Sequence, residues 1–428
     1  MNALRMFVLL AIAAAPLFAA DEFEQPPISY SETKPANRIS ELQTAIREGK
    51  AELKYDGQLG YLPALLERLR IPPESQVLVF SKTSLQRQRI APRSPRAIYF
   101  GDDVYVGYCD GGEVLEISAA DVKLGTVFYT LDQSDRDTPR ITRQTEKCLQ
   151  CHGTSQTEYI PGHSVRSLFV DSAGLPLLGE GTKRVDHTTP LADRWGGWYV
   201  TGTHGEQTHL GNLIIRDRNQ AKPWTNERGH NVVDLKDFFD TSDYLTPHSD
   251  LVALMIFEHQ AYVHNLLTRA SFTARQALHY EASFNEALKE PADKRLDSTT
   301  RRINNAADKL LAGLLLVDEA KLTAPLAGTS GFAEKFVAAG KKDRQGRSLR
   351  DLDLRTRLFR YPCSFLIESP SFAELPPLLK TATLDKLQKI LAGEGGERYE
   401  HLSAEDRAAI REILAETQPT LFAAAAGR

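Results

Sequence analysis

The residues whose types and spacing are best suited to chemistry stand in the middle of the chain. Cys148, Cys151 and His152 form the sequence C-x-x-C-H. Two thiols at this spacing can add to the two vinyl groups of one haem, and the adjacent imidazole can then bind the iron. The same side chains could instead contribute to a zinc site or form a redox-active dithiol. The motif therefore predicts one of three kinds of cysteine chemistry.

The remaining cysteines help to separate these three possibilities. The chain has 4 cysteines, and Cys109 and Cys363 stand alone, so the second pair that a four-thiolate zinc site needs is missing. A redox dithiol does not need the histidine that follows the second thiol, whereas C-x-x-C-H is the attachment signature of c-type haem. We therefore predict one covalent haem c, held by Cys148 and Cys151, with His152 as the proximal iron ligand.

The N-terminus has the pattern of a secretory signal peptide. Arg5 precedes an apolar run from Met6 to Ala15, and small residues at positions 19 and 20 precede Asp21. The run is shorter than the roughly 20 residues that span a bilayer. We predict a signal peptide over residues 1–20, export to the periplasm and no transmembrane anchor after cleavage. A retained membrane anchor is the alternative.

The motif and the export signal together resemble those of exported bacterial monohaem c-type cytochromes. The resemblance covers residues 148–152 and the N-terminus of a chain of 428 residues. It implies electron transfer in the periplasm with a redox partner protein. The small cytochrome c domain is all helical and has a methionine ligand in a later loop, whereas strands are expected here on both sides of the motif.

The second axial ligand of the iron has three candidates. His163 follows the proximal ligand by 11 residues, in a Pro-Gly-His turn. Met255 is the one methionine that remains after residues 1–20 are removed, and His259 lies on the same face of a predicted helix. We favour His163, then His259, then Met255. A five-coordinate iron with an open site is the alternative.

The segment that follows the motif is rich in aromatic and basic side chains. Trp195 and Trp198 flank two glycines beside Arg194, and Arg166 lies upstream of them. Indole rings pack on flat apolar groups, and a guanidinium pairs with a carboxylate such as a haem propionate. These four residues are therefore expected to line a haem pocket. The alternative is a strand–turn–strand corner whose aromatic rings fill the protein core.

The composition narrows the choice of partners. There are 52 basic and 56 acidic residues, so no polybasic surface for nucleic acid is expected.

Cys109 and Cys363 could form one long-range disulfide in an oxidising compartment or remain two buried free thiols.

Hydrophobic periodicity divides the chain into four parts. After the signal peptide, residues 21–60 form a polar lead-in and a helix, 61–240 a mixed α/β module with the motif, and 241–428 a helical region. Short β-rich runs predict strands between residues 76 and 130 and at 165–170, 197–201 and 211–215. Thr246 and Pro247 predict the start of a long helix that ends near Leu288, and Ser403 with Asp406 predicts a capping box. The expected class is α+β, with a strand-rich haem-bearing module before a mainly helical half.

Three functions are compatible with this sequence. Electron transfer follows most directly from a single haem c. The chain is much longer than a simple carrier needs, which leaves open a monohaem redox enzyme acting on hydroxylamine, nitric oxide or peroxide. A haem-based redox or gas sensor is the third possibility.

Overall fold

A computed structural model describes residues 22–217, 222 and 224–419. It confirms the α+β class, with an antiparallel sheet in the N-terminal half and helices in the C-terminal half. The predicted signal peptide, residues 1–20, lies outside the described residues.

The main sheet has six strands, and each strand pairs with the next one along the chain. They are β1 Val77–Val79, β2 Arg96–Phe100, β3 Val104–Tyr108, β4 Val114–Asp121, β5 Gly125–Asp132 and β6 Ile141–Gln144. All five pairings are antiparallel. A separate two-stranded ribbon consists of β7 Arg166–Leu168 and β8 Thr182–Arg184.

The two faces of the main sheet differ in polarity, because successive side chains along a strand point to opposite faces. One face packs Val106, Ile117 and Val127 against two helices, α1 Arg38–Arg47 and α2 Leu62–Arg68. The other face brings together polar and aromatic residues, since Gly107 pairs with Glu116 and Ser118 pairs with Phe128. The C-x-x-C-H motif lies near this second face, on the one-turn helix α3 Leu149–His152.

The strands predicted at residues 197–201 and 211–215 are wrong. These segments form isolated bridges, Trp198 with Val79 and Ile215 with Asp171, but no named strand. The side-chain amide of Asn212 replaces a strand partner, because it accepts from the Val200 N–H (2.8 Å) and donates to the Val200 carbonyl (2.8 Å). A side chain that satisfies the backbone in this way removes the need for a ladder.

The C-terminal half is built around α4 Leu251–Leu288, a helix of 38 residues. The other helices are α5 Asp297–Leu314, α6 Phe332–Ala338, α7 Pro370–Ala373, α8 Pro377–Lys389 and α9 Ala404–Thr417. The predicted start of α4 at Pro247 is wrong, because the Asp250 side chain caps the helix by accepting from the N–H groups of Val252 and Ala253. The capping box of Ser403 and Asp406 is confirmed at the start of α9.

The polar side chains buried along α4 include Glu258, His259 and His264. In the described part of the chain, no helix combines the length and the apolar character needed to cross a membrane.

Candidate haem attachment site

The two motif cysteines lie at the two ends of one helical turn. Cys148 is the N-cap residue of α3 and is half-buried, whereas Cys151 is exposed, and neither forms a disulfide. The buried side chain of Leu149 fixes the turn to the rest of the protein. Burial raises the pKa of the Cys148 thiol to about 11, so this thiol is protonated at neutral pH. The site thus presents two free thiols, one of them open to solvent.

The imidazole of His152 is oriented by one backbone carbonyl. Its Nδ1 lies 2.9 Å from the carbonyl oxygen of Gly162. A carbonyl can only accept, so Nδ1 must carry the proton, and Nε2 keeps its lone pair in the neutral ring. Burial lowers the pKa of His152, which favours this neutral form. Ligating histidines usually donate their second nitrogen to such a carbonyl, so the ring of His152 has the tautomer that metal ligation requires.

A tight loop brings Gly162 back to His152. The N–H of Gly162 donates to the His152 carbonyl (2.9 Å), and the hydroxyl of buried Thr157 donates to the Ile160 carbonyl (2.8 Å). Asn265 of α4 clamps the next residue, His163, by accepting from its N–H (2.9 Å) and donating to its carbonyl (2.6 Å). Helix α4 therefore fixes the loop that orients the ring of His152.

Two charged residues that were not predicted to belong to the site lie beside the motif. Arg96 and Glu116 form an ion pair (2.8 Å) on the polar face of the sheet. Burial has the largest effect on the pKa of Cys148 and of His152, and the charges of Arg96 and Glu116 are among the smaller effects. The guanidinium lies over Gly107, where any larger residue would displace it. The sequence contains a pattern that could have indicated this pair, because a charged residue lies in β2 and another in β4, beside a glycine of β3.

The Arg96 guanidinium has an unused donor. Its Nε is buried and has no hydrogen-bond partner within the described residues. Buried donors are rarely left in this state, so the atom suits an acceptor that the described side chains do not supply. The aromatic ring of Phe128 also belongs to the site, with its centroid 4.9 Å from that of His152.

His163, the first candidate for the second axial ligand, is close to the motif but has other partners. Its Nε2 lies 3.0 Å from the Ser118 hydroxyl and its Nδ1 3.3 Å from the Thr126 hydroxyl. The ring is buried, and burial, followed by the neighbouring His264 and His152, keeps its pKa well below the ordinary value. To bind iron, His163 would have to give up a hydroxyl partner.

The other two candidates lie further along α4. The Nε2 of His259 pairs with the Ser364 hydroxyl (2.7 Å), and its Nδ1 lies 3.3 Å from Nδ1 of His187. Met255 is buried among the apolar residues of the helical core. Measured along the helix axis, His259 and Met255 precede Asn265 by about 9 and 15 Å, respectively. The structure therefore places both away from the loop that orients His152.

The arginine and the two tryptophans of the aromatic segment donate hydrogen bonds to groups other than the motif. The buried Arg194 donates to the carboxylate of Glu258 (3.0 Å) and to the Thr189 carbonyl (2.7 Å). The indole N–H of Trp195 donates to the same carboxylate, and that of Trp198 donates to the Arg166 carbonyl (2.8 Å). No hydrogen bond joins these side chains to the motif in the residues that the structure describes. Their contacts favour the alternative reading of this segment, a corner whose rings fill the core.

The two cysteines outside the motif remain separate thiols. Cys109 follows β3, and Cys363 lies in the helical core. Both are buried, and neither forms a disulfide. Burial raises the pKa of Cys109 to about 12 and also raises that of Cys363. The long-range disulfide considered from the sequence is not formed.

No protein-family model matches the chain, and no curated protein or solved structure resembles it significantly. What the protein does must therefore be inferred from the residues described above.

Proposed function

We propose that this chain is a periplasmic monohaem c-type cytochrome that transfers electrons. Cys148 and Cys151 would form the thioether bonds, and His152 would be the proximal ligand. The observation that supports this most strongly is the hydrogen bond from Nδ1 of His152 to the Gly162 carbonyl. It leaves Nε2 as the lone-pair nitrogen of a neutral ring, one residue after the second thiol.

The neighbouring residues fit a haem group. Haem bound here would supply one-electron redox chemistry, with a potential that depends on burial and axial ligation. Phe128 offers an aromatic ring beside His152. The buried Nε of Arg96 can donate to a carboxylate, and a haem propionate is such an acceptor. In this proposal Arg96 takes the role that the sequence suggested for Arg166 or Arg194.

The proposal includes export and a redox partner protein. The first 20 residues have the pattern of a signal peptide, and haem c is attached after the chain has crossed the membrane. The exposed position of Cys151 leaves one side of the motif accessible to a partner protein.

Covalent haem can be tested directly in a bacterial host that matures c-type cytochromes. The full chain should collect in the periplasm, and its pyridine haemochrome spectrum should show haem c with one haem per chain. C148S should leave a single thioether and shift that spectrum, and C148S/C151S should retain no covalent haem. C363A, which removes a buried thiol of the helical core, should load haem normally. Periplasmic protein without covalent haem would refute the proposal.

A haem enzyme or a gas sensor is the second candidate. It is favoured by the hydroxyl partners of His163 and His259 and by the burial of Met255 in the helical core, because an iron that none of these three residues binds would keep an open site. Carbon monoxide separates the two functions. A low-spin spectrum that carbon monoxide does not change supports electron transfer. A high-spin spectrum that it does change supports the second candidate, and turnover of hydroxylamine or peroxide would then identify an enzyme.

A further inference from the structure

A large cleft separates the sheet-bearing half from the helical half and does not include the C-x-x-C-H motif. Its volume is about 1070 Å³. One wall is formed by α1 and the turn between β2 and β3, and the opposite wall by α6 and the segment from Phe365 to Ser371. Ligand sites are often found where two parts of a chain meet in this way, and they have volumes of this order.

Arg350 provides a fixed cationic group in this cleft. Its guanidinium carbon lies 4.5 Å from the ring centroid of Phe365 and 4.9 Å from that of Phe336. Its Nη2 is ion-paired with Asp102 on the opposite wall, and the side chain is only 12% exposed. Within the described residues, neither Nε nor Nη1 has a hydrogen-bond partner. A guanidinium held against two rings with free donors is preorganised for an oxyanion such as a carboxylate.

Further cations stand on both sides of the cleft. Arg68 and Arg70 line it from the end of α2, and Lys341 lines it from beyond α6. All three side chains are exposed, and none forms an ion pair with another residue in the described ranges. Arg38 and Lys335, by contrast, are neutralised by Asp103 and Glu74. Two carboxylates that form no ion pair within the described residues, those of Glu41 and Glu368, also line the cleft. The three free cations outnumber these two carboxylates, so the net uncompensated charge is one positive charge.

The cleft is lined by both polar and apolar side chains. Phe332, Phe336 and Phe365 line it on the helical side, and Leu42 and Leu69 line it on the other side. We propose that the cleft binds a small organic anion with a flat apolar body and an oxyanion head such as a carboxylate or a sulfonate. The body would pack against the phenylalanines, and the head would accept hydrogen bonds from Arg350 and the cations of the rim.

Two fluorescent probes of similar shape test this site on the full-length protein. Anilinonaphthalene sulfonate is anionic, and phenylnaphthylamine is its uncharged counterpart. We expect saturable binding of the anionic probe at one site. R68Q/K341Q should weaken this binding about tenfold, the size expected when charge-assisted hydrogen bonds are lost. The same variant should leave the affinity for the uncharged probe nearly unchanged.

Two further variants make the result specific to the cleft. R47Q/K342Q removes the same charge from exposed positions outside the cleft and should bind the anionic probe like the parent. A339W fills the cleft from an exposed position on its wall and should abolish saturable binding, with thermal unfolding measured to confirm that the variant is folded. Unchanged binding to folded A339W, or equal weakening by both charge pairs, would overturn the proposal. So would the absence of saturable binding.

Discussion

At the scale of single residues, the orientation of the His152 ring depends on the backbone carbonyl of Gly162. The ring of His152 donates to Gly162, and the amide of Asn265 holds the following residue from both sides. A side chain at position 162 would collide with the Asn265 amide oxygen, so the close approach of α4 requires glycine there. The tautomer of His152 therefore follows from a contact with a distant helix.

The substitution G162A tests this contact. The added methyl group should displace Asn265 and cost about 1–3 kcal/mol of unfolding free energy. The shifted carbonyl should also change the haem spectrum of the loaded protein. Urea unfolding and absorption spectra measure the two effects. G179A is the matched control, because no atom lies within 4 Å of a methyl group at that position. Equal effects of both variants would contradict the assigned role of Gly162.

The pair of Arg194 and Glu258 gives a second prediction at this scale. Both side chains are buried, with exposures of 3% and 0%. R194M leaves the carboxylate without its cation and should lower the free energy of unfolding by about 3–5 kcal/mol. R194M/E258L should recover much of this loss, because both charges are then gone. Chemical denaturation of the two variants is the measurement. A spectrum of bound haem that changes in the folded double variant would instead support a contact between Arg194 and haem.

At the scale of elements, α4 connects the two halves of the molecule. Its N-terminus is held by Asp250, whose Oδ1 caps the helix and whose Oδ2 accepts from the N–H groups of Thr329 (2.7 Å) and Ser330 (2.8 Å). Further along, Asn265 reaches the loop of the motif. One helix thus determines both the packing of the helical half and the position of the motif.

Asp250 should therefore matter more than an ordinary helix cap. D250A removes the cap of α4 and leaves buried N–H groups without partners, so we expect a loss of about 2–4 kcal/mol in unfolding free energy. The control is S403A at the exposed capping box of α9, with an expected loss of about 1 kcal/mol. Urea unfolding measures both variants. Similar losses would show that the contacts of Asp250 with residues 329 and 330 contribute little.

At the scale of the whole molecule, many histidines are buried in the neutral form. Burial is the main reason why the pKa values of His163, His209 and His259 lie well below the ordinary value. It lowers the pKa of His187 to about 4. The buried rings of His204 and His209 also lie 4.7 Å apart, centroid to centroid. The folded state therefore resists protonation in both halves.

This distribution predicts that acid destabilises the protein. Folding lowers the pKa of these histidines below the value of about 6.5 that they have in the unfolded chain. As the pH falls below about 6.5, the unfolded chain binds protons that the folded protein does not bind, so the free energy of unfolding decreases. The free energy of unfolding should decrease steadily from about pH 7 to pH 4. H209N retains an acceptor for the Gly211 N–H and should reduce this pH dependence, whereas H279N, at an exposed position, should not. A flat profile would contradict the prediction.

The sequence by itself determined several of the elements and the spacing of the motif residues. The strands from β1 to β5, helix α1, the body of α4 and the capping box of α9 follow from local periodicity and from hydrogen bonds within a few residues. The spacing of Cys148, Cys151 and His152 is likewise local and could be interpreted without a structure. These features depend on neighbours in the chain, which the sequence displays directly.

Only the tertiary structure decided which side chains surround the motif. Arg194 was expected beside a haem, but it lies against Glu258, 64 positions away in the chain. Arg96 and Glu116 reach the motif because the register of β2, β3 and β4 places them on one face of the sheet. His163 has two hydroxyl partners from β4 and β5. Such contacts depend on strand register and on the path of α4, and neither can be deduced from local sequence because many distant pairings satisfy the same hydrophobic pattern.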